Sequence, residues 1–150
     1  MAYPTAESRE IAAPAEKVWG LVSDLPRMGE WSPENVGGKW AKGATGPAQG
    51  AVFTGKNKNG FRRWSTTAKV VACEPGKVFE IAVTAGPWAV ANWRYEFEDT
   101  TAGCRVTESW HDHRAGWMRV VARPMGVHDD AHAKGEMAAT LANLAAAAER

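Results

Sequence analysis

The chain has 150 residues, a formal net charge of +1 and 23% charged side chains, which suits one domain with a sizeable hydrophobic core. This near-neutral charge argues against nucleic acid or an anionic membrane as a partner. No apolar run approaches the roughly 20 residues of a membrane-spanning helix, and the N-terminal residues lack the features of a secretory signal, so we expect a cytoplasmic protein.

One strand and two short helices are predicted at the start of the chain. Residues 5–11 favour a strand, and Pro14 then suits the first turn of a helix. Asp24 is placed to cap a second short helix that extends to Trp31. In the first helix, three apolar side chains recur at the spacing of a single helical face: Val18, Leu21 and Val22.

The middle of the chain predicts consecutive antiparallel strands joined by tight turns. Asn59 followed by Gly60 is the strongest short hairpin signal, and Pro75 followed by Gly76 suits a type II turn. The predicted strands are residues 37–40, 51–55, 62–73, 78–84, 88–98 and 104–113.

A long C-terminal helix is predicted to cover one face of this sheet. Residues 114–127 favour a loop or short helix, and Asp129 and Asp130 lie where the N-terminal cap and first turn of the last helix belong. A curved sheet that wraps around one helix tends to leave a cavity between them, so the predicted fold class is α+β. The apolar stripe of that helix consists of Met137, Leu141, Leu144 and Ala148.

The chain contains eight tryptophans, more than a small domain needs merely to fill its core. Because a large amphipathic ring stacks well on flat or apolar ligands, they suggest a pocket lined by aromatic side chains. A tryptophan-rich core is the alternative for any one of them. The eight are Trp19, Trp31, Trp40, Trp64, Trp88, Trp93, Trp110 and Trp117.

The two cysteines, Cys73 and Cys104, each lie in a predicted strand, with no Cys-x-x-Cys or metal-binding spacing. We interpret them as two small buried thiols of a cytoplasmic protein. A disulfide between them is the alternative.

Three stretches of the chain carry a resemblance to a known family: residues 11–19 with 23–24 and 30–33, residues 70–79 with 93–97 and 103–109, and residues 135–144. In these stretches the chain resembles the START-like (SRPBCC, Bet v 1-like) superfamily, and within it the bacterial polyketide cyclase/dehydrase and lipid-transport proteins. The resemblance implies one domain over residues 1–150, in which a curved seven-stranded antiparallel sheet grips the C-terminal helix, with two short helices between strands 1 and 2. It also implies a deep hydrophobic cavity, but no single reaction, since only some members catalyse.

Glu108 is the main candidate for chemistry. Strand alternation sends it inward with apolar neighbours, where its pKa should rise. It is then a general acid or base, an anchor for a ligand hydroxyl, or a structural carboxylate bonded to Tyr95, a tryptophan or an arginine. A slip of one residue in register would expose it to solvent. Its predicted inward neighbours are Trp93, Tyr95 and Phe97 on one strand and Val106 and Trp110 on its own.

Few other polar groups are expected on the inner face, which favours ligand binding over catalysis. Aromatase/cyclase relatives use polar pocket residues to position a ketone chain and stabilise an enolate, a purpose that Tyr95 and Glu108 would serve here. The predicted ligand-binding residues are Phe53, Trp64, Trp93, Tyr95, Glu108, Trp110, Met118, Met137 and Leu141.

Two histidine pairs and a basic hairpin tip have simpler interpretations. His111 with His113, and His128 with His132, match no recognised metal signature, so no metal and no cofactor are predicted. We interpret the basic tip as a solvated turn rather than a phosphate site. It comprises Lys56, Lys58, Arg62 and Arg63.

Three functions remain open at this point. The first is a carrier of a small lipid-like, aromatic or polyketide-like ligand, as a monomer or homodimer without integral membrane association. The second is a cyclase/aromatase or dehydrase. The third is a protein-interaction module with a filled core, which would bind its partner through an exposed apolar patch. In the first two functions, the same patch would form a lid of the cavity or pack under the last helix. That patch comprises Trp117, Met118, Val121 and Met125.

Overall fold

Seven strands and a long C-terminal helix build the molecule, whose computed structural model describes residues 5–33, 35–122 and 130–150. The α-helices are α1 (Ala15–Ser23), α2 (Gly116–Ala122) and α3 (Asp130–Ala148), and a 3₁₀ helix spans Leu25–Glu30. The strands are β1 (Thr5–Ile11), β2 (Asn35–Ala41), β3 (Val52–Asn59), β4 (Arg62–Glu74), β5 (Val78–Ala85), β6 (Trp88–Thr100) and β7 (Gly103–Asp112).

The strands form one antiparallel sheet in the order β1-β7-β6-β5-β4-β3-β2. The predicted fold class is therefore confirmed, and so is the predicted meander, which runs from β2 to β7. The second short helix is a 3₁₀ turn rather than an α-helix. It has six residues with a proline in the first turn, which is long for a 3₁₀ helix.

Three register shifts bend the sheet around its inner face. They lie between Asn35 and Gly38 in β2, in β4 after Val70, and between β5 and β6 after Val83. Such bulges increase strand twist and curvature. Gly38 adopts a φ of 147° and packs so closely on β3 that a Cβ there would collide with the carbonyl oxygen of Thr54. The curved sheet therefore leaves room between itself and α3.

The helix α3 closes the core against β1, β7 and α1. Its predicted apolar stripe is buried, since Met137, Leu141, Leu144 and Ala148 are each at most 2% exposed. Asp130 begins the helix, whereas Asp129, the other expected capping residue, lies outside the described residues. In the described ranges no helix is both long and apolar enough to cross a membrane.

Truncating this stripe should cost much of the stability of the fold. We expect Leu144→Ala to lower the free energy of unfolding by about 2–5 kcal/mol, because it leaves a cavity at a fully buried site. The volume-conserving Leu144→Met should cost less than about 1.5 kcal/mol. Urea denaturation of both variants measures the difference, and equal losses would show that α3 packs loosely there.

Both cysteines are free thiols; Cys104 is buried, as predicted, whereas Cys73 is only half-buried. Burial raises the pKa of both thiols above the ordinary value. Each is therefore protonated near neutral pH and is a poor nucleophile.

Candidate ligand-binding cavity

A cavity of about 220 Å³ lies between the inner face of the sheet and α3. Most of its surface is apolar. Leu25 and Met28 of the 3₁₀ helix close one side, and small residues such as Ala68, Ala91 and Ala133 leave space at its walls. An alanine projects little from a strand or helix, so these positions create volume where larger side chains would fill it.

Six of the predicted ligand contacts line this cavity, namely Phe53, Trp64, Trp93, Tyr95, Glu108 and Trp110. Three others lie elsewhere. Met137 and Leu141 are buried in the core on the part of α3 that does not line the cavity, and Met118 is half-buried in α2. Leu141 packs in the main core, whereas Met137 packs behind the cavity wall against Ala91 and Trp110.

The part of α3 that faces the cavity carries polar side chains at intervals of one helical turn. His132, Glu136 and Thr140 all line it, and His132 Nε2 lies 3.5 Å from Glu136 Oε1. Thr140 is 4% exposed. Glu136 and Thr140 were not among the predicted ligand-binding residues. Their spacing from His132, at i+4 and i+8, places all three on one helical face.

The opposite wall is also partly polar. Asn57 Nδ2 donates to Thr66 Oγ1 at 3.1 Å, and both side chains line the cavity. Arg114 lines it from beyond β7, where its guanidinium donates two hydrogen bonds to the Asp112 carboxylate. The expected shortage of inner polar groups is therefore wrong, and it no longer argues against catalysis.

Glu108 and Tyr95 form a buried pair on the sheet wall of the cavity. The register of β6 and β7 places them directly opposite each other, next to the pair of Trp93 and Trp110. Tyr95 Oη donates to Glu108 Oε2 at 2.8 Å, and the two residues are 4% and 2% exposed. The register assumed from strand alternation thus holds here, and it turns the carboxyl group inward.

Burial raises the pKa of Glu108 to about 8; the hydrogen bond from Tyr95 opposes this shift, and the charge of Glu136 adds to it. Burial and the Glu108 charge likewise hold the pKa of Tyr95 well above 10. At neutral pH both groups are therefore mainly protonated. Within the part of the chain that the structure describes, Glu108 Oε1 has no hydrogen-bond partner. This oxygen is itself buried.

The tryptophans divide between the cavity and the core. Trp93 and Trp110 lie with ring centroids 6.0 Å apart and form the aromatic wall of the cavity with Trp64. Trp19 donates its indole N–H to the Val78 carbonyl, and Trp31 is 2% exposed in the core. The aromatic pocket and the tryptophan-rich core are thus both present, built from different residues.

The histidine pairs do not gather further metal ligands in the described ranges. His111 and His113 have ring centroids 4.3 Å apart, while His128 lies outside the described residues. Across residues 5–33, 35–122 and 130–150, no group of three or more His, Cys, Asp or Glu side chains is arranged to hold a metal ion. At the basic hairpin tip, Lys56, Lys58 and Arg63 are exposed.

An exposed aromatic pair lies away from the cavity. Trp117 and Trp88 are 56% and 50% exposed, and their rings meet edge to face with centroids 5.9 Å apart. Val120, one turn further along α2, is 63% exposed. Met125, the last member of the predicted apolar patch, lies outside the described residues.

Solved structures with this architecture support the fold. The polyketide-cyclase-like protein Cgl2372 from Corynebacterium glutamicum is 34% identical, with a TM-score of 0.53, over 96% of this chain and 83% of its own. Major latex-like protein 151 from Panax ginseng is 11% identical, with a TM-score of 0.73, over 97% and 96%. The di-domain aromatase/cyclase StfQ of steffimycin biosynthesis is 16% identical, with a TM-score of 0.70, over 97% of this chain and 44% of its own.

Curated proteins give no match to this chain. A family model does match, and it extends over residues 5–149, which include every strand and helix described above. That match confirms the resemblance carried by the three sequence stretches. The chain therefore belongs to the polyketide cyclase/dehydrase and lipid transport family.

Proposed function

We propose that this protein binds a small hydrophobic ligand in the cavity between the sheet and α3, within one domain over residues 1–150. The observation that carries the proposal is the cavity itself, whose surface is mainly apolar with a few inward polar groups. This combination is typical of small-molecule sites, in which apolar burial supplies affinity and polar groups orient the ligand. We further propose a cytoplasmic location and a monomeric or homodimeric state.

Filling the cavity tests this function directly. We expect native mass spectrometry of freshly purified protein to show a stoichiometric hydrophobic passenger, which solvent extraction then identifies. Val83→Trp places a large ring at a residue that lines the cavity, and should abolish the passenger. Val71→Trp makes the same change on a neighbouring strand, where the side chain is 37% exposed, and should retain it.

The proposal fails if the wild-type protein gives a clean apo mass and no lipid or polyphenol raises its melting temperature. It also fails if Val83→Trp, shown to be folded by circular dichroism, retains the passenger at full occupancy. In either case the cavity is not the site of binding.

A cyclase- or dehydrase-type enzyme is the second candidate. Glu108 is a buried, mainly protonated carboxyl at neutral pH, and the polar row of α3 lines the same cavity. A general acid or base needs a pKa near the working pH, which Glu108 has. Glu108→Gln should abolish turnover of a substrate if the protein is an enzyme, and should change only affinity if it is a carrier.

An interaction module is the third candidate, and it has less support. That function predicts a filled core, whereas a cavity of about 220 Å³ is present. The exposed pair of Trp88 and Trp117 is the surface that such a module would use.

A further inference from the structure

The net charge of the chain hides a strong asymmetry along its length. Seven of its 18 lysines and arginines lie between residues 35 and 73, whereas none of its 17 aspartates and glutamates does. This stretch folds into β2, β3 and β4, which form one edge of the sheet. The near-neutral total therefore describes neither part of the molecule, and the field around this edge is positive.

The basic side chains of this edge point outward and are exposed. In β3 and β4 they alternate with the residues that line the cavity, which places them on the outer face of the sheet. Lys39 of β2 lies opposite Thr54 in the register of β2 and β3, on the same outer face. Among the residues that the structure describes, no acidic side chain forms an ion pair with these cations. The outer-face cations are Lys39, Lys56, Lys58, Arg63 and Lys69.

Phe61 projects from the tip of the same edge. It belongs, with Gly60, to the two-residue turn between β3 and β4. Its side chain is 93% exposed, more than any other large apolar side chain in the described ranges. A single exposed apolar residue is common on protein surfaces, but this one stands between cations. Lys58 precedes it by three residues and Arg63 follows it by two.

An apolar tip flanked by cations matches the chemistry of an anionic membrane surface. An aromatic ring enters the headgroup boundary of a bilayer through apolar burial, while nearby lysines and arginines attract anionic lipids. Lys58 and Arg63 lie opposite each other, next to the pair that closes the turn. At about 3.3 Å per residue, both charges stay within about 10 Å of the ring, which is close to the Debye length at physiological salt.

We propose that the tip of the β3–β4 hairpin docks this protein on membranes that contain anionic lipids, with the Phe61 ring in the headgroup boundary and the outer-face cations on the lipid headgroups. Docking of this kind is peripheral and reversible, since one ring and a few charges bind far more weakly than a membrane-spanning helix. The inference does not depend on the proposed ligand-binding function.

Docking at this tip would also bring one end of the cavity close to the bilayer. Asn57 and Trp64 both line the cavity, and they form the next pair of the hairpin after Lys58 and Arg63.

Single-stranded nucleic acid is the competing partner, because its phosphates also attract cations and its bases stack on aromatic rings. Such sites combine a basic groove with several rings on which successive bases stack. Here the rings of the three strands lie on the inner side of the sheet, where Phe53 and Trp64 line the cavity and Trp40 packs against Phe53. The outer face of the described strands thus offers cations without a stacking platform, which favours the membrane.

Vesicle sedimentation tests the docking. We would measure binding of the whole chain to vesicles of phosphatidylcholine alone and of phosphatidylcholine mixed with phosphatidylserine, at low and at physiological salt. Each cation near the surface should contribute about fivefold to the affinity for anionic vesicles. Binding should therefore require phosphatidylserine, and it should weaken several-fold as the ionic strength rises.

Two variants separate the ring from the charges. Phe61→Ser removes the apolar tip, so affinity for anionic vesicles should fall about tenfold while the salt dependence stays. The double variant Lys58→Gln, Arg63→Gln should lose about 25-fold, together with much of the salt dependence. The control double variant Lys17→Gln, Lys134→Gln removes the same charge from exposed sites on α1 and α3, and it should bind almost as tightly as the wild type.

The contrary results are distinct from one another. If Phe61→Ser binds as tightly as the wild type, or if Trp88→Ser loses binding in its place, the membrane contact lies elsewhere and the inference is overturned. An equal loss in the control double variant would mean that binding follows net charge alone, which also overturns it. If the wild type does not bind phosphatidylserine vesicles but binds a single-stranded oligonucleotide in fluorescence anisotropy, the partner is nucleic acid.

A loss of binding in these variants should not reflect a loss of folding. All the substituted side chains are exposed, so the melting temperatures should equal that of the wild type. The hydrophobic passenger seen by native mass spectrometry should also be unchanged in Phe61→Ser, which keeps this test separate from that of ligand binding.

Discussion

Glu108→Gln is expected to make the protein more stable than the wild type at pH 9, by up to about 5 kcal/mol. The pKa of Glu108 rises from 4.5 to about 8 on folding. Between these values the folded state binds one more proton than the unfolded state, so wild-type stability falls as pH rises through this window. The uncharged glutamine avoids that loss. The figure is an upper limit, because protein and water relax around a buried charge.

Chemical denaturation at pH 5, 7 and 9 measures this effect. The stability difference between Glu108→Gln and the wild type should be small at pH 5, grow at pH 7 and level off above about pH 8. Glu98→Gln, on the exposed face of β6, should show no such trend. A difference that is the same at all three pH values would mean that Glu108 titrates normally.

Gly103→Ala is expected to destabilise the fold by about 3 kcal/mol or more, since it combines backbone strain with a steric collision. Gly103 begins β7 with a φ of 152°, a conformation that side chains disfavour. A Cβ there would collide with the carbonyl oxygen of Ile11 and lie 2.6 Å from the backbone nitrogen of Ala13. Backbone atoms cannot move aside as the end of a flexible side chain does. The pairing of β1 with β7 should therefore be disrupted.

Gly20→Ala is the matched control for this substitution. Gly20 lies within α1, and a Cβ there meets no heavy atom within 4 Å. Alanine should stabilise the helix there by about 0.5–1 kcal/mol, because it lowers the entropy of the unfolded chain. Melting temperatures of the two variants should therefore shift in opposite directions. A Gly103→Ala variant as stable as the wild type would show that the edge strand adjusts freely.

Local patterns in the sequence predicted most of the fold. Strand runs between turn signals predicted all seven strands, and the turns at Asn59 and Pro75 correctly paired β3 with β4 and β4 with β5. These features are local, since a turn residue or an alternating face acts over only a few positions. The inward orientation of Glu108 followed from the same alternation, because Trp93, Tyr95 and Trp110 left only one face that could be buried.

The sequence by itself determined the seven antiparallel strands, the long final helix and the inward orientation of the Glu108 carboxyl group. Its pairing with Tyr95, rather than with a tryptophan or an arginine, came from the tertiary structure. Only the tertiary structure decided how α3 rotates against the sheet. Alanines surround its larger side chains, so helical periodicity alone does not choose which face meets the cavity. Packing on β1, β7 and α1 buries Met137 and Leu141 in the core and turns Glu136 and Thr140 toward the cavity. The spacing of the polar row puts its members on one helical face, but only long-range packing turns that face toward the cavity.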